Sequence, residues 1–288
     1  MRVALAAAAL ALAHAAGAEI RLADDRGRAL ALARPAARIV TLAPHLTEIA
    51  FAAGAGDRVV GVADYSDHPP AARRLPIVSD HGRVNFEEIA RLKPDLALTW
   101  LSGNRAPDFE RLEARGVPVF ATEATRPGDV ARILRLVGRL AGTGTVADAA
   151  ADEFEARFAR LRERYRGRPQ VSVFYEIWPE PLMTVNGKHL ISHLVELCGG
   201  RNVFAGAAPF TPAISREQLL VADPDAILVA APGPRAAERV AFWRASPRLR
   251  AARDGRVYAV DPGLAHRMGP RIVEGGAELC EALERARR

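Results

Sequence analysis

Lysine is nearly absent from this 288-residue chain: Lys93 and Lys188 are the only two, so almost all of its positive charge is arginine. The arginines are interleaved with acids, as in "EFEARFARLRERYRGR", which leaves no basic stripe to follow a nucleic-acid backbone. A net charge of +6 therefore reads as compositional bias on a solvated surface, and no nucleic-acid partner is expected. Histidine amounts to seven scattered residues, without the His-rich loop expected of a periplasmic zinc carrier. Asp64, Asp67, His68, Asp80 and His81 have the side chains of a metal site, but without such a loop no metal is expected there. A G-x-S-x-G nucleophile turn is missing. Gly54, Gly56 and Gly61 in "GAGDRVVG" miss the G-x-G-x-x-G spacing and follow a helical pattern, where a nucleotide loop must open one. Beyond the N-terminus no run is long and apolar enough to span a bilayer.

The N-terminus itself is different. Residues 1–18 pair one basic residue with an apolar run and end in Ala16-Gly17-Ala18, the pattern of a secretory signal peptide. Cleavage before Glu19 removes Arg2 and leaves a charge of +5; no cysteine lies near the cut to carry a lipid, so a free periplasmic protein is expected. In that compartment Cys198 and Cys280, the only cysteines, are expected to pair. Closing a loop of 280 − 198 = 82 residues constrains the unfolded chain by roughly 4–5 kcal/mol on the chain-entropy model.

At 288 residues the chain exceeds one ordinary core, so two domains are expected. Short β-branched runs, "ARIVTLA", "VVGVAD", "DLALTW", "PVFAT", "VSVFYE", "AILVAA" and "RVYAV", alternate with helical patterns, which predicts α/β lobes with largely parallel sheets. Residues 145–166 contain no Gly or Pro and space Phe154, Phe158, Leu161 and Tyr165 at helical intervals. The predicted helix is long enough to bridge two lobes, giving boundaries of 19–144 for the first and 167–288 for the second.

Sequence also repeats. "FEEIARLKPDLALTW" (86–100) is echoed by "REQLLVADPDAILVA" (216–230), and 217 − 87 = 130 aligns Glu87 with Glu217 and Pro94-Asp95 with Pro224-Asp225. Asn85 and Ser215 read as N-caps, with Glu88 and Gln218 three residues on as in a capping box. Pro94 and Pro224 are expected to stop the helices. "HLTEIAFAAGAGDRVVG" (45–61) likewise answers "HLISHLVELCGGRNVFAG" (189–206), and "RGVPVFAT" (115–122) answers "DGRVYAV" (254–260).

With "RIVTLAPHLTEIAFAAGAGDRVVGVADYSDHPP", "NFEEIARLKPDLALTW", "SREQLL", "LVELCGGRNVF" and "HRMGPRIVEGGAELCEAL", the chain resembles the helical-backbone class of periplasmic substrate-binding proteins, and among them those that bind cobalamin. The resemblance implies two Rossmann-like lobes joined by one long α-helix, with a ligand cleft between them. It also implies a monomer that does no chemistry and delivers cobalamin or another corrinoid, carried as ligand and not as cofactor, to an ABC permease dimer of the BtuCD type. Glu87 and Glu217 resemble the acidic residues by which the class docks onto transporter arginines, one per lobe. Tyr65 in "DYSDHPP" and Trp100 at the end of "DLALTW" are placed where strands end, suited to a flat ring, with Phe210 and Trp178 opposite and Arg267 resembling an arginine that bonds corrin amides. The chain departs from the cobalamin pattern at His81, where that pattern has Trp, and around Gly263 and His266, where it has Asp. A neutral imidazole ligates cobalt or iron, so His81 joins the ligand candidates, and haem or a ferric siderophore is the alternative cargo.

Overall fold

The structure, a computed structural model, describes residues 19–80 and 83–288. The leader expected over residues 1–18 and the candidate His81 lie outside the described residues. The chain opens with a hairpin, β1 (Ile20–Ala23) against β2 (Ala29–Leu32), before its first parallel strand. Four-residue strands with weak alternation carried no clear signal in the sequence. Asp24 holds the turn by accepting from Arg26 N and Arg28 N, and accepts Ala121 N to fix the hairpin to the sheet behind it.

The first sheet contains β3 (Ile39–Thr41), β4 (Val59–Ala63), β5 (Ile77–Asp80), β6 (Arg83–Val84), β7 (Leu96–Trp100) and β8 (Val119–Thr122), in the order β6-β5-β4-β3-β7-β8. The second contains β9 (Val171–Glu176), β10 (Gly200–Asn202), β11 (Ala226–Ala230) and β12 (Val257–Val260), in the order β10-β9-β11-β12. All pairs in both sheets are parallel except β5 with the edge strand β6. Parallel strands covered by helices are largely apolar runs, and "IVT" and "VFAT" are wholly buried, with the Thr41 and Thr122 hydroxyls hydrogen-bonded inside. Within the first sheet, β4-β3-β7-β8 runs in the same second-first-third-fourth order as the whole second sheet. Two lobes therefore share one winding. The strands β5, β6 and β10 were not foreseen.

The repeated segments form equivalent units. Helix Phe86–Leu92 begins at Asn85, whose side chain accepts Glu88 N at 3.0 Å, and helix Arg216–Ala222 begins at Ser215, whose hydroxyl accepts Gln218 N at 3.2 Å. Gln218 Oε1 in turn accepts Ser215 N at 2.8 Å, completing a capping box. At the first lobe the expected box is only half formed. Asn85 N already donates to Val78 O, so the Glu88 carboxylate turns to Arg91 instead. Both helices end earlier than their prolines: Lys93 and Asp223 turn the chain at φ 48° and 34°, and the proline follows that turn.

Helix Gly144–Arg164 extends the predicted bridge by one residue at its start and closes two residues sooner. Its 21 residues span about 31 Å. One apolar cluster runs from Leu46 and Ile49 of the first lobe through Ala147, Phe154, Phe158 and Leu161 of this helix to Leu194, Leu279 and Leu283 of the second. Each sheet has a further cluster on its other face, around Ile89 and Phe109 in one lobe and Trp243 and Ile227 in the other. The long helix thus belongs to the cores of both lobes, and bending it would expose apolar surface on each. Cys198 and Cys280 are disulfide-bonded inside the second lobe, joining the end of helix Leu190–Leu197 to helix Ile272–Ala286.

Candidate functional site

In a doubly wound sheet the chain leaves the first strand toward one edge and later returns to wind toward the other, so a crevice opens beyond the carboxyl ends of the first and third strands. In the first lobe those strands are β3 and β7. Leu42, Ala43 and Pro44 after β3, with Trp100, Gly103 and Asn104 at and after β7, line a cavity of about 170 Å³. Asp64 and Tyr65, which follow β4, complete its wall. In the second lobe the strands are β9 and β11. Glu176, Trp178 and Pro179 with Ala230, Ala231 and Pro232 line a cavity of about 400 Å³ at the equivalent place. Each lobe therefore carries aromatic residues at its switch point.

Trp100 is held on three sides. Its indole Nε1 donates to Glu123 Oε1 at 3.1 Å, its backbone N to Asn104 Oδ1 at 2.7 Å, and the His45 imidazole meets its ring edge-on at 5.2 Å. Gly103 is required beside it, because a Cβ there would lie 1.9 Å from the indole. His45 is buried and faces Arg267, which together push its pKa down to about 4, so it is a neutral imidazole. Tyr65 is 63% exposed and stands at φ 60°, a left-handed conformation that side-chain-bearing residues rarely adopt.

On the second lobe Trp178 is 58% exposed and donates its indole N–H to Glu180 O at 2.9 Å. Beneath it the buried Glu176 accepts two bonds from Arg239 and one, at 2.6 Å, from Trp243 Nε1. Phe210 lines neither crevice; it packs on His189 at 4.6 Å. Burial, with His266 and His193 adding to it, lowers His189 to about 3. His266 lies after β12, 3.0 Å from the Tyr175 hydroxyl, and burial lowers it to about 4 while burial raises Tyr175.

Arg267 stands where the lobes meet. Its guanidinium donates to Glu48 Oε1 at 3.2 Å, to Asp67 Oδ1 and, through Nη2, to the Tyr65 carbonyl at 3.0 Å. Arg271 adds two bonds to Glu48, at 2.9 and 2.6 Å. Glu48 is 3% exposed, and a carboxylate so buried requires such partners. The sequence reading passed over Glu48, Arg271, His45 and Asn104. The signal for Glu48 was its place as the single charged residue of helix Pro44–Ala52, "PHLTEIAFA". Because Arg267 follows β12 and Tyr65 follows β4, this contact also brings the carboxyl edges of the two sheets together.

Glu87 and Glu217 are both exposed in the first turn of matching helices. The Glu217 carboxyl is held below its usual range by its own backbone N–H and the Ser215 hydroxyl. Among the described residues no three His, Cys, Asp or Glu side chains gather as a metal site. A larger cavity, of about 810 Å³, lies at the C-terminal end of the long helix and is rimmed by Arg126, Arg162, Arg166 and Arg168. None of the strand ends at the switch points contributes to it, so topology favours the two smaller crevices as the site.

The profile of a family described as periplasmic binding protein matches residues 39–264. The vitamin B12-binding protein of Photorhabdus laumondii is 35% identical over 246 residues, covering 85% of this chain and 87% of the relative. The crystal structure of the periplasmic vitamin B12 binding protein of Vibrio cholerae superposes with a TM-score of 0.82 at 33% identity, covering 88% of this chain and 99% of that one. A periplasmic heme-binding protein from Roseiflexus has a TM-score of 0.78 at 25% identity over 87% of this chain and 99% of its own.

Proposed function

The chain belongs to the periplasmic binding protein family, and from that premise we propose that it captures cobalamin or a related corrinoid between its lobes and delivers it to an ABC importer. The carrying observation is the pair of equivalent switch-point crevices, Tyr65 and Trp100 at one and Trp178 at the other. Flat aromatic faces suit a broad planar ring, burying its apolar area while the indole and phenol tips meet its polar rim. The relatives named for vitamin B12 binding support the corrinoid over other planar guests. In this reading the lobes are 19–144 and 167–288, joined by the helix near 145–166, and the protein acts in the periplasm as a monomer without catalysis. Glu87 and Glu217 offer one carboxylate per lobe to arginines of a two-fold permease dimer, where rim charge pairs set register and speed encounter.

Haem or a ferric siderophore is the second reading, and one observation favours haem: His266 is a partly exposed, neutral imidazole beyond the end of β12. Titration with cyanocobalamin, haemin and a ferric catecholate separates these cargoes. Micromolar or tighter binding of cyanocobalamin alone is expected. Silence with cyanocobalamin and a Soret shift with haemin reverses the order.

A further inference from the structure

We infer that Glu123 is a positioning residue: its carboxylate fixes the Trp100 indole as a wall of the first crevice, and the N-terminal hairpin holds that carboxylate in place through Asp25. Trp100 ends β7 and Glu123 follows the end of the neighbouring β8, so the two side chains start from adjacent strand ends. One Glu123 oxygen accepts the indole N–H at 3.1 Å and the other accepts Ser102 N at 2.9 Å. A single carboxylate therefore holds both the ring and the loop after it, in which Gly103 stands against the indole. Asn104 closes that loop by donating to Leu42 O at 2.8 Å.

A carboxylate at a strand end is free to rotate into water, so how firmly it holds a ring depends on what fixes its own backbone. Glu123 N donates to Asp25 Oδ2 at 2.6 Å, and Glu123 O accepts Arg132 Nη2 at 3.0 Å. Arg132, from helix Pro127–Ala141, also grips the Asp25 carboxylate with two bonds, at 2.9 and 3.0 Å. A partly exposed ion pair is worth little by itself, but this one is two-pronged and both of its members also bind the Glu123 backbone. Asp25 lies in the turn between β1 and β2, and its own N–H donates to Ala121 O of β8 at 2.9 Å.

The hairpin adds no strand to either large sheet, and this chain of bonds gives it a task, running from Asp25 and Arg132 through Glu123 to Trp100. Among the described residues neither Glu123 nor Asp25 lines the crevice, so each reaches a ligand there only through the indole. A ring already held in one orientation has no rotamer freedom left to lose when a flat ligand lands on it, and binding is tighter for that. This rests on the crevice being the ligand site.

A double-mutant cycle on cyanocobalamin affinity tests it. Glu123→Ala is expected to weaken binding by about ten-fold in the native background and by less than about two-fold in a Trp100→Ala background, because the carboxylate acts through the indole. Asp25→Asn should cost about three-fold in the native background and nothing measurable beside Trp100→Ala. Equal losses in both backgrounds mean that the residue acts on the ligand by another route, and overturn the inference. A second readout needs no ligand. The chain has three tryptophans, so a nitrogen–proton correlation spectrum resolves their indole N–H peaks, and Trp100→Phe identifies the one that belongs to Trp100. Glu123→Gln, which keeps a single acceptor oxygen, and Asp25→Asn should each move that peak and leave those of Trp178 and Trp243 in place. A Trp100 peak unmoved by Glu123→Gln removes the carboxylate from its post, and one unmoved by Asp25→Asn removes the hairpin; either result sinks the idea, as does a shift of all the indole peaks together. If the native protein does not bind cyanocobalamin, the corrinoid reading fails while the spectrum still decides the role of Glu123.

Discussion

Asp95 and Asp225, 130 residues apart, perform the same task in the two lobes: each carboxylate accepts backbone N–H groups just ahead of the lobe's first parallel strand or at its start. Asp95 accepts from Ala37 N and Arg38 N, the latter at 2.8 Å, ahead of β3; Asp225 accepts from Ser172 N at 2.9 Å and the Ser172 hydroxyl at 2.6 Å, in β9. With Lys93 and Asp223 supplying the left-handed turn before each Pro-Asp pair, most of the repeated segment is accounted for by folding alone. Glu87 and Glu217 are exposed in the first turns of the matching helices, and that shared exposure is what makes them candidates for docking.

Replacing Asp95 or Asp225 by Ala strips a carboxylate from those amides. Each change is expected to lower stability by about 1–3 kcal/mol, read from urea unfolding midpoints. A loss at one site only would mean that the two units are not equivalent.

The aromatic walls should matter to affinity more than to folding. Trp178→Ala is expected to weaken cyanocobalamin binding by about ten- to a hundred-fold, or 1.4–2.8 kcal/mol, with an unchanged melting temperature because the ring is largely exposed. Trp100→Ala should lose comparable affinity and some stability besides, since it also removes the contacts to Glu123 and His45. Undiminished affinity in both variants would place the ligand elsewhere.

Docking can be tested separately from capture. Glu87→Arg with Glu217→Arg should abolish ligand-stimulated transport through the cognate permease and leave the solution affinity for ligand intact. Normal transport by the double variant removes both residues from the interface.

Acid should destabilise the protein before its carboxylates titrate. His45, His189 and His266 are lowered to about 4, 3 and 4 from an ordinary 6.5, chiefly by burial. Between pH 6.5 and about 4 the unfolded chain binds protons that the folded chain refuses, so stability falls with pH, by at most about 1.4 kcal/mol per unit for each imidazole. Asp67, with its carboxyl lowered by the Arg267 hydrogen bond, adds a loss only below about pH 4. A urea midpoint that stays flat from pH 7 to pH 5 would falsify this account, and His45→Gln should reduce the slope.

What the sequence settled by itself were the features encoded over short spans. Buried parallel strands such as "DLALTW" and "AILVAA" are continuous apolar runs, and the long helix shows its 3.6-residue period without interruption, so both were legible before any coordinates. The cysteine pair followed from number and compartment alone. Tertiary structure decided whatever depends on a partner distant in the chain. Strand pairing has the same effect at shorter range: Glu88 pairs with Arg91 and leaves the cap incomplete because Val78, on the neighbouring strand, takes the Asn85 amide. That Arg267 is bonded to Glu48 and Asp67, some two hundred residues earlier, is likewise visible only once the two lobes are packed together. A side chain's role is set by what surrounds it, and only the packing of the two lobes brings those neighbours together.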